Sequence, residues 1–275
     1  MKTIKRIAAV LASILLWASG SYGQDLNVLL MESTFRIAGT ARDADKTSVG
    51  TAFLIYRPSK RVPEKAFFVL VTAAHVLNDI NGDDAVLLLR TRGADGSFAP
   101  LEHRVPIRNK GVPLWTQPAG VDVAVMNVNV PKGAHVSRLS VDLLATDRVF
   151  VQYDIHPGDE LFSLGYPFGL PANSAGFPIL RSGTIASYPL VPARKYPVFL
   201  YDFQVYEGNS GGPVFFAASP RTSAGGRRDQ TVHFIAGIVS QYAMIEGQRL
   251  QLASVVSAQF IREAIDSLPD PIDPK

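Results

Sequence analysis

Apolar segments in this 275-residue chain are short, rich in Val, Ile, Phe and Thr, and broken at close intervals by Gly, Pro, Asn and Asp. Helices bury an apolar face through a longer 3.6-residue period, so this punctuation specifies many short strands. Candidate strands cover 34–41, 49–57, 66–72, 84–92, 98–108 and 122–129, then 160–165, 179–188, 198–205, 213–217, 231–240 and 249–253. Residues 131–150 connect the two sets, and turn signals fall at Gly93-Ala94-Asp95-Gly96 and from Ser219 to Gln230. One segment differs. Over 254–267 the apolar positions Val255, Val256, Phe260, Ile261 and Ile265 suit one face of a helix, with Ser254 as its cap. After Leu268, the stretch Pro269-Asp270-Pro271-Ile272-Asp273-Pro274 cannot continue a helix and is expected to fray. With 47% apolar residues the chain can bury a core for one large or two small domains.

The first residues are expected to lie outside that core. Lys2, Lys5 and Arg6 precede an apolar run from Ile7 to Ala18, and Ser21-Tyr22-Gly23 supplies small residues for a cut. This is the layout of a secretory signal peptide over residues 1–23, too short for a comfortable membrane span. An uncleaved anchor is the alternative. Without those residues the chain carries 24 basic and 24 acidic side chains, so the apparent excess of +3 belongs to the export segment. A near-neutral mature chain provides no basic footprint for nucleic acid and implies no stable membrane insertion after signal cleavage. Cysteine is absent, which excludes thiolate zinc sites and disulfides and suits a bacterial periplasmic or secreted protein with an adequate core.

Three motifs carry chemistry. In Glu207-Gly208-Asn209-Ser210-Gly211-Gly212-Pro213, glycines flank a serine and permit a tight turn that exposes its hydroxyl. The same turn can aim the Gly208 and Ser210 N–H groups into one oxyanion hole. Alone, the segment would equally suit a hairpin loop. Upstream lie Val71-Thr72-Ala73-Ala74-His75 and Val121-Asp122-Val123-Ala124-Val125, in the order His, Asp, Ser. His75 follows the buried strand 67–71 and is placed to act as general base toward Ser210, then as general acid toward a leaving amine. Asp122 begins a buried strand, where a carboxylate is costly unless paired, and a histidine N–H is a suitable partner. His103, His135, His156 and His233 have no comparable context. Asp43, Asp45, Asp83 and Asp84 lack the ligand spacing of a calcium loop, so no metal and no cofactor are expected.

With these motifs in place the chain resembles the trypsin-like serine peptidases, in particular the Cys-free bacterial group that includes the HtrA (Deg) proteases. Thr72-Ala73-Ala74-His75, Asp122-Val123-Ala124-Val125 and Gly208-Asn209-Ser210-Gly211-Gly212 resemble the three catalytic motifs. Leu164-Gly165-Tyr166-Pro167-Phe168-Gly169 and Ser182-Gly183-Thr184-Ile185-Ala186-Ser187 are similar to stretches that open the second barrel of that group. The likeness covers roughly 33–267. It departs from HtrA proteins in one respect, since no PDZ domain is expected before Lys275.

The resemblance implies an all-β fold of two six-stranded antiparallel barrels with a C-terminal helix. The first would span 24–137 with His75 and Asp122, and the second 138–275 with Ser210. It implies an exported serine endopeptidase acting through an acyl-enzyme on unfolded or extended polypeptide. A catalytically silent peptide-binding relative and an esterase using the same triad are the alternatives. It further implies that Gln204 lies at the base of the primary specificity pocket, that 236–240 pairs with substrate through Ser240, and that Tyr242 forms a wall. A neutral Gln204 disfavours Lys and Arg, and Val239 argues against a Glu preference, leaving small or medium apolar residues. Oligomeric state is not specified by the sequence.

Overall fold

The computed structural model describes residues 26–42, 46–62, 64–217, 221–222, 228–229, 232–245 and 247–271. The expected signal segment and most of the loop from Ser219 to Gln230 lie outside the described residues. Helix α1 (Leu26–Ser33) comes first and buries Leu26 and Leu30. Strands β1 (Thr34–Thr40), β2 (Thr47–Pro58), β3 (Ala66–Thr72), β4 (Asp84–Arg92), β5 (Phe98–Pro106) and β8 (Ala124–Val128) build the first sheet, in the order β5-β4-β1-β2-β3-β8. Between β5 and β8 a small hairpin pairs β6 (Arg108–Asn109) with β7 (Val112–Pro113). Strand β9 (Leu139–Ser140) adds to β2 in parallel, so the chain serves the first sheet slightly beyond the expected boundary at 137.

The second sheet closes on itself. Strands β10 (Glu160–Gly165), β11 (Ile179–Ile185), β12 (Val198–Asp202), β13 (Pro213–Ala217), β16 (His233–Ile245) and β17 (Gln248–Ser257) form a barrel in the order β10-β11-β12-β17-β16-β13. The minor pair β14 (Arg221–Thr222) and β15 (Arg228–Asp229) stands apart from it. The two-barrel, all-β expectation therefore holds, and so does the turn at 93–96, where Gly93 N–H bonds Ser97 and Gly96 takes φ +82°.

Two helical elements connect and close the molecule. Helix α3 (Asp147–Gln152) follows α2 (Ala74–Asp79) in the chain and lies in the connection between barrels. The C-terminal helix α4 (Ala258–Ser267) starts four residues later than its sequence pattern suggests, with Ser257 rather than Ser254 as cap. Ladder pairing with β12 and β16 keeps 254–257 extended, where Val255 and Val256 are buried as strand residues. Tertiary pairing has overridden a helical period.

The expectation of a frayed tail is corrected at Pro269 and Asp270, while 272–274 lie outside the described residues. Asp270 is buried and accepts from Arg57 Nη1 at 2.9 Å, Ser59 Oγ at 2.6 Å and the Lys60 and Arg61 N–H groups. The bond from Ser59, helped by Arg57 and the two N–H groups, holds the Asp270 carboxyl down at about 2. A depressed carboxylate contributes stability above its unfolded pKa, and that contribution disappears as pH falls through the folded value. Asp270→Asn is thus expected to lower Tm at pH 7, with the gap from wild type narrowing between about pH 4 and pH 2. Calorimetry across that range checks it, and a gap independent of pH would sink the assignment.

Candidate active site

Each barrel contributes one part of a cleft at their seam. His75 is the second residue of α2, immediately after β3, so strand packing fixes where its imidazole emerges. Its Nδ1 lies 2.7 Å from Asp122 Oδ2, and its backbone N–H donates to Asp122 Oδ1 at 2.9 Å. Asp122 also accepts from Ser240 Oγ at 2.6 Å. Three donors therefore converge on one half-buried carboxylate. Burial pushes Asp122 upward, but the bonds and charge of His75, with Ser240, outweigh it and hold the carboxyl below its ordinary value. For His75, burial pulls downward, and the bond to Asp122 with the charges of Asp122 and Asp79 leaves the imidazole above its ordinary value. Asp79→Asn should lower the midpoint of the alkaline rise in activity, since a raised histidine loses one supporting charge. A pH–rate profile checks this, and an unmoved midpoint would remove Asp79 from the picture.

Ser210 arrives from the second barrel, in the turn before β13. Its Oγ donates to the Ser240 backbone carbonyl at 2.8 Å. Ser240 thus touches both ends of the constellation. It can do so because the β16–β17 register skips between Val239 and Gln241, a bulge that releases Ser240 from the ladder.

The turn itself is arranged around two free donors. The N–H groups of Asn209, Gly211 and Gly212 bond Tyr206, Val239 and Asn209 carbonyls. Those of Gly208 and Ser210 have no partner among the described residues. Phe168 N–H donates to Glu207 O at 2.6 Å, and because a trans peptide is planar the Gly208 N–H points the opposite way. Thr51, fully buried in β2, holds the same loop from the first barrel. Its Oγ1 donates to Gly208 O at 2.6 Å and accepts from Tyr166 N–H, while its own N–H donates to Ser210 O at 2.9 Å. Gly208 has φ +88°, and a Cβ there would stand 2.1 Å from Tyr166 O.

Behind Tyr166 sits Arg90, fully buried between the Phe35 and Phe177 rings. Its guanidinium donates to the carbonyls of Met31, Thr34 and Gly176 and to Tyr166 Oη. Arg90→Leu would strand several buried acceptors and should cost about 3 kcal/mol, read as a lower midpoint in urea. A variant as stable as wild type would refute this reading of Arg90.

The sequence-derived residues sort unevenly. His75, Asp122, Ser210, Gly208 and Ser240 come together. Tyr242 lies with His75, Asp122, Ser210 and Ser240 on the wall of a cavity of about 510 Å³, lined also by Val205, Tyr206, Glu207, Gln241 and Met244. Gln204 is exposed and lines a smaller neighbouring cavity with Leu250 and Gln251, its carbonyl taken by Arg181. Val205, buried, occupies the position facing the triad cavity that Gln204 was expected to hold. Sequence reasoning also missed Thr51. The available signal was a hydroxyl inside a fully buried apolar run from Gly50 to Ile55. Among the described residues no cluster of three or more His, Asp or Glu side chains could hold a metal ion, and no helix is long and apolar enough to cross a membrane.

Residues 50–219, more than half of the chain, match the family model described as trypsin-like peptidase domain. Among solved structures the chain is similar to the HtrA-type protease AlgW with a tripeptide, at 16% identity and a TM-score of 0.51, covering 90% of this chain and 63% of that one. It is also similar to the protease Anisep from Arthrobacter nicotinovorans, at 15% identity and a TM-score of 0.50, covering 87% of this chain and 96% of that one. The chain thus spans less than two thirds of the AlgW chain, and at these identities the likeness is one of fold. No curated protein sequence matches.

Proposed function

This chain belongs to the trypsin-like peptidase family, and from that premise we propose that it is an exported serine endopeptidase that cleaves extended polypeptide through an acyl-enzyme. The observation that carries this reading is the pair of free N–H groups, Gly208 and Ser210, in a loop whose other amides are bonded, beside the His75–Asp122 pair. A binding module has no need to leave two inward amide donors unpaired next to a serine hydroxyl.

In the proposed reaction Ser210 Oγ turns from the Ser240 carbonyl toward His75 Nε2, which takes its proton as Oγ attacks the scissile carbonyl. Gly208 and Ser210 N–H receive the developing oxyanion. Asp122 keeps the Nδ1 proton in place and stabilises the imidazolium. His75 then protonates the departing amine, and water repeats the sequence on the acyl-enzyme. The acyl half of the substrate lies along the edge of β16 at Ser240–Tyr242, as an added strand. Val205, Tyr206, Tyr242 and Met244 favour a small or aliphatic residue before the scissile bond, with Glu207 at the exposed rim where water screens it.

A fluorophosphonate probe should label Ser210, and casein should be cleaved mainly after Ala, Val or Leu. Absence of labelling would favour the silent peptide binder. Labelling with ester but no casein hydrolysis would favour the esterase. Dominant cleavage after Lys or Arg would overturn the pocket assignment alone. Export is proposed from residues 1–23, and the mature protein is expected to begin at or near Gln24 by mass spectrometry.

A further inference from the structure

Two cavities meet at Ser210. The one described above follows the edge of β16. The other, about 690 Å³, shares His75 and Ser210 with it and is lined by Val49, Val76, Phe168, Gly169 and Glu207, together with Arg42, Lys46 and Asp79. His75 must protonate the departing amine, so the residues after the scissile bond leave on this second side.

Phe168 is conspicuous there. It is 64% exposed and holds φ +56°, ψ 22°, a left-handed backbone unusual for a bulky residue. Such conformations persist where the surroundings impose them, and they gather at ligand clamps. Here the Phe168 N–H is tied to Glu207 O, and the ring rests on Tyr206 with centroids 5.0 Å apart. Gly169, with φ +72°, brings the backbone against Val49. The result is an aromatic ring held open to water on one wall, with half-buried Val49 and buried Val76 also lining the cavity. The charged groups in the cavity are of both signs, so they favour neither an acidic nor a basic side chain. What remains specific is apolar surface.

We propose that Phe168, backed by Tyr206, is a specificity-determining residue that selects an apolar side chain at the first or second position after the scissile bond. This rests on the peptidase reading and extends it to the leaving half of the substrate.

The test uses peptides with one fixed acyl half and Leu, Phe, Gly or Asp at those two positions. Wild-type protein should cleave the Leu and Phe peptides about tenfold or more faster in kcat/KM than the Asp peptides. In Phe168→Asn, chosen because asparagine tolerates a left-handed backbone, that ratio should fall toward one, and in Phe168→Tyr it should persist. A wild-type ratio near one, or a ratio retained in Phe168→Asn, overturns the proposal. Should Phe168→Asn fail to turn over, the same ratio is read as binding of fluorescent peptides to Ser210→Ala and to the Ser210→Ala, Phe168→Asn double variant. Failure of the fluorophosphonate to label Ser210 would count against the peptidase reading itself, while this binding arm still decides the role of the ring.

Discussion

Replacing Ser210 by alanine is expected to lower kcat for peptide hydrolysis by about 10⁴- to 10⁶-fold, the range found when a triad nucleophile is removed. The hydroxyl is small and makes one hydrogen bond, to the Ser240 carbonyl, so the fold should survive its loss. The free amides of Gly208 and Ser210 remain, and they should leave a residual acceleration of about 10³- to 10⁴-fold over water. Because those donors and the β16 edge are untouched, peptide binding should change little, and the loss should fall on kcat rather than KM. Single-turnover kinetics with a blocked peptide, beside circular dichroism of the variant, would check both halves. Near-native turnover would move the nucleophile elsewhere.

Gly208→Ala should produce the next largest effect, a loss of kcat of at least about 10²- to 10³-fold with Ser210 and His75 intact. The reason is steric. At φ +88° a side chain is strained, and the added Cβ would lie 2.1 Å from Tyr166 O and 3.0 Å from Gly169 N, both backbone atoms that cannot swing away. The loop must move, and the Glu207–Gly208 peptide, aimed by Phe168, carries one of the two proposed oxyanion donors. Labelling by a fluorophosphonate should slow along with peptide cleavage, because both build charge on the same oxygen. An alanine variant that labels and turns over like wild type would show that Gly208 donates nothing to the reaction.

Much of this site was legible before any coordinates. Ser210, His75 and Asp122 stand in local contexts that bear on chemistry directly. A serine between glycines, a histidine at the end of an apolar strand and a carboxylate at the start of another are readable because neighbours along the chain create the environment. Strand positions were legible for the same reason, since turn residues and short apolar runs act locally. The boundary errors share one cause. At 254–257 a helical period was present, yet pairing with β12 and β16 decided the conformation. At Asp270, proline and aspartate composition suggested fraying, while a partner 213 residues earlier, Arg57, holds the carboxylate.

The all-β class, the three candidate side chains His75, Asp122 and Ser210 and the glycines of the turn were determined by the sequence alone, because each rests on residues adjacent in the chain. Only the tertiary structure decided which residue faces the triad cavity, Val205 rather than Gln204, since a shift of one residue along an extended chain reverses the direction of a side chain. It alone decided that Thr51, from the other barrel, holds the loop of Gly208 and Ser210, and that Phe168 is held open in the second cavity beside Ser210. Both roles depend on contacts between segments more than 100 and about 40 residues apart, which no local pattern encodes.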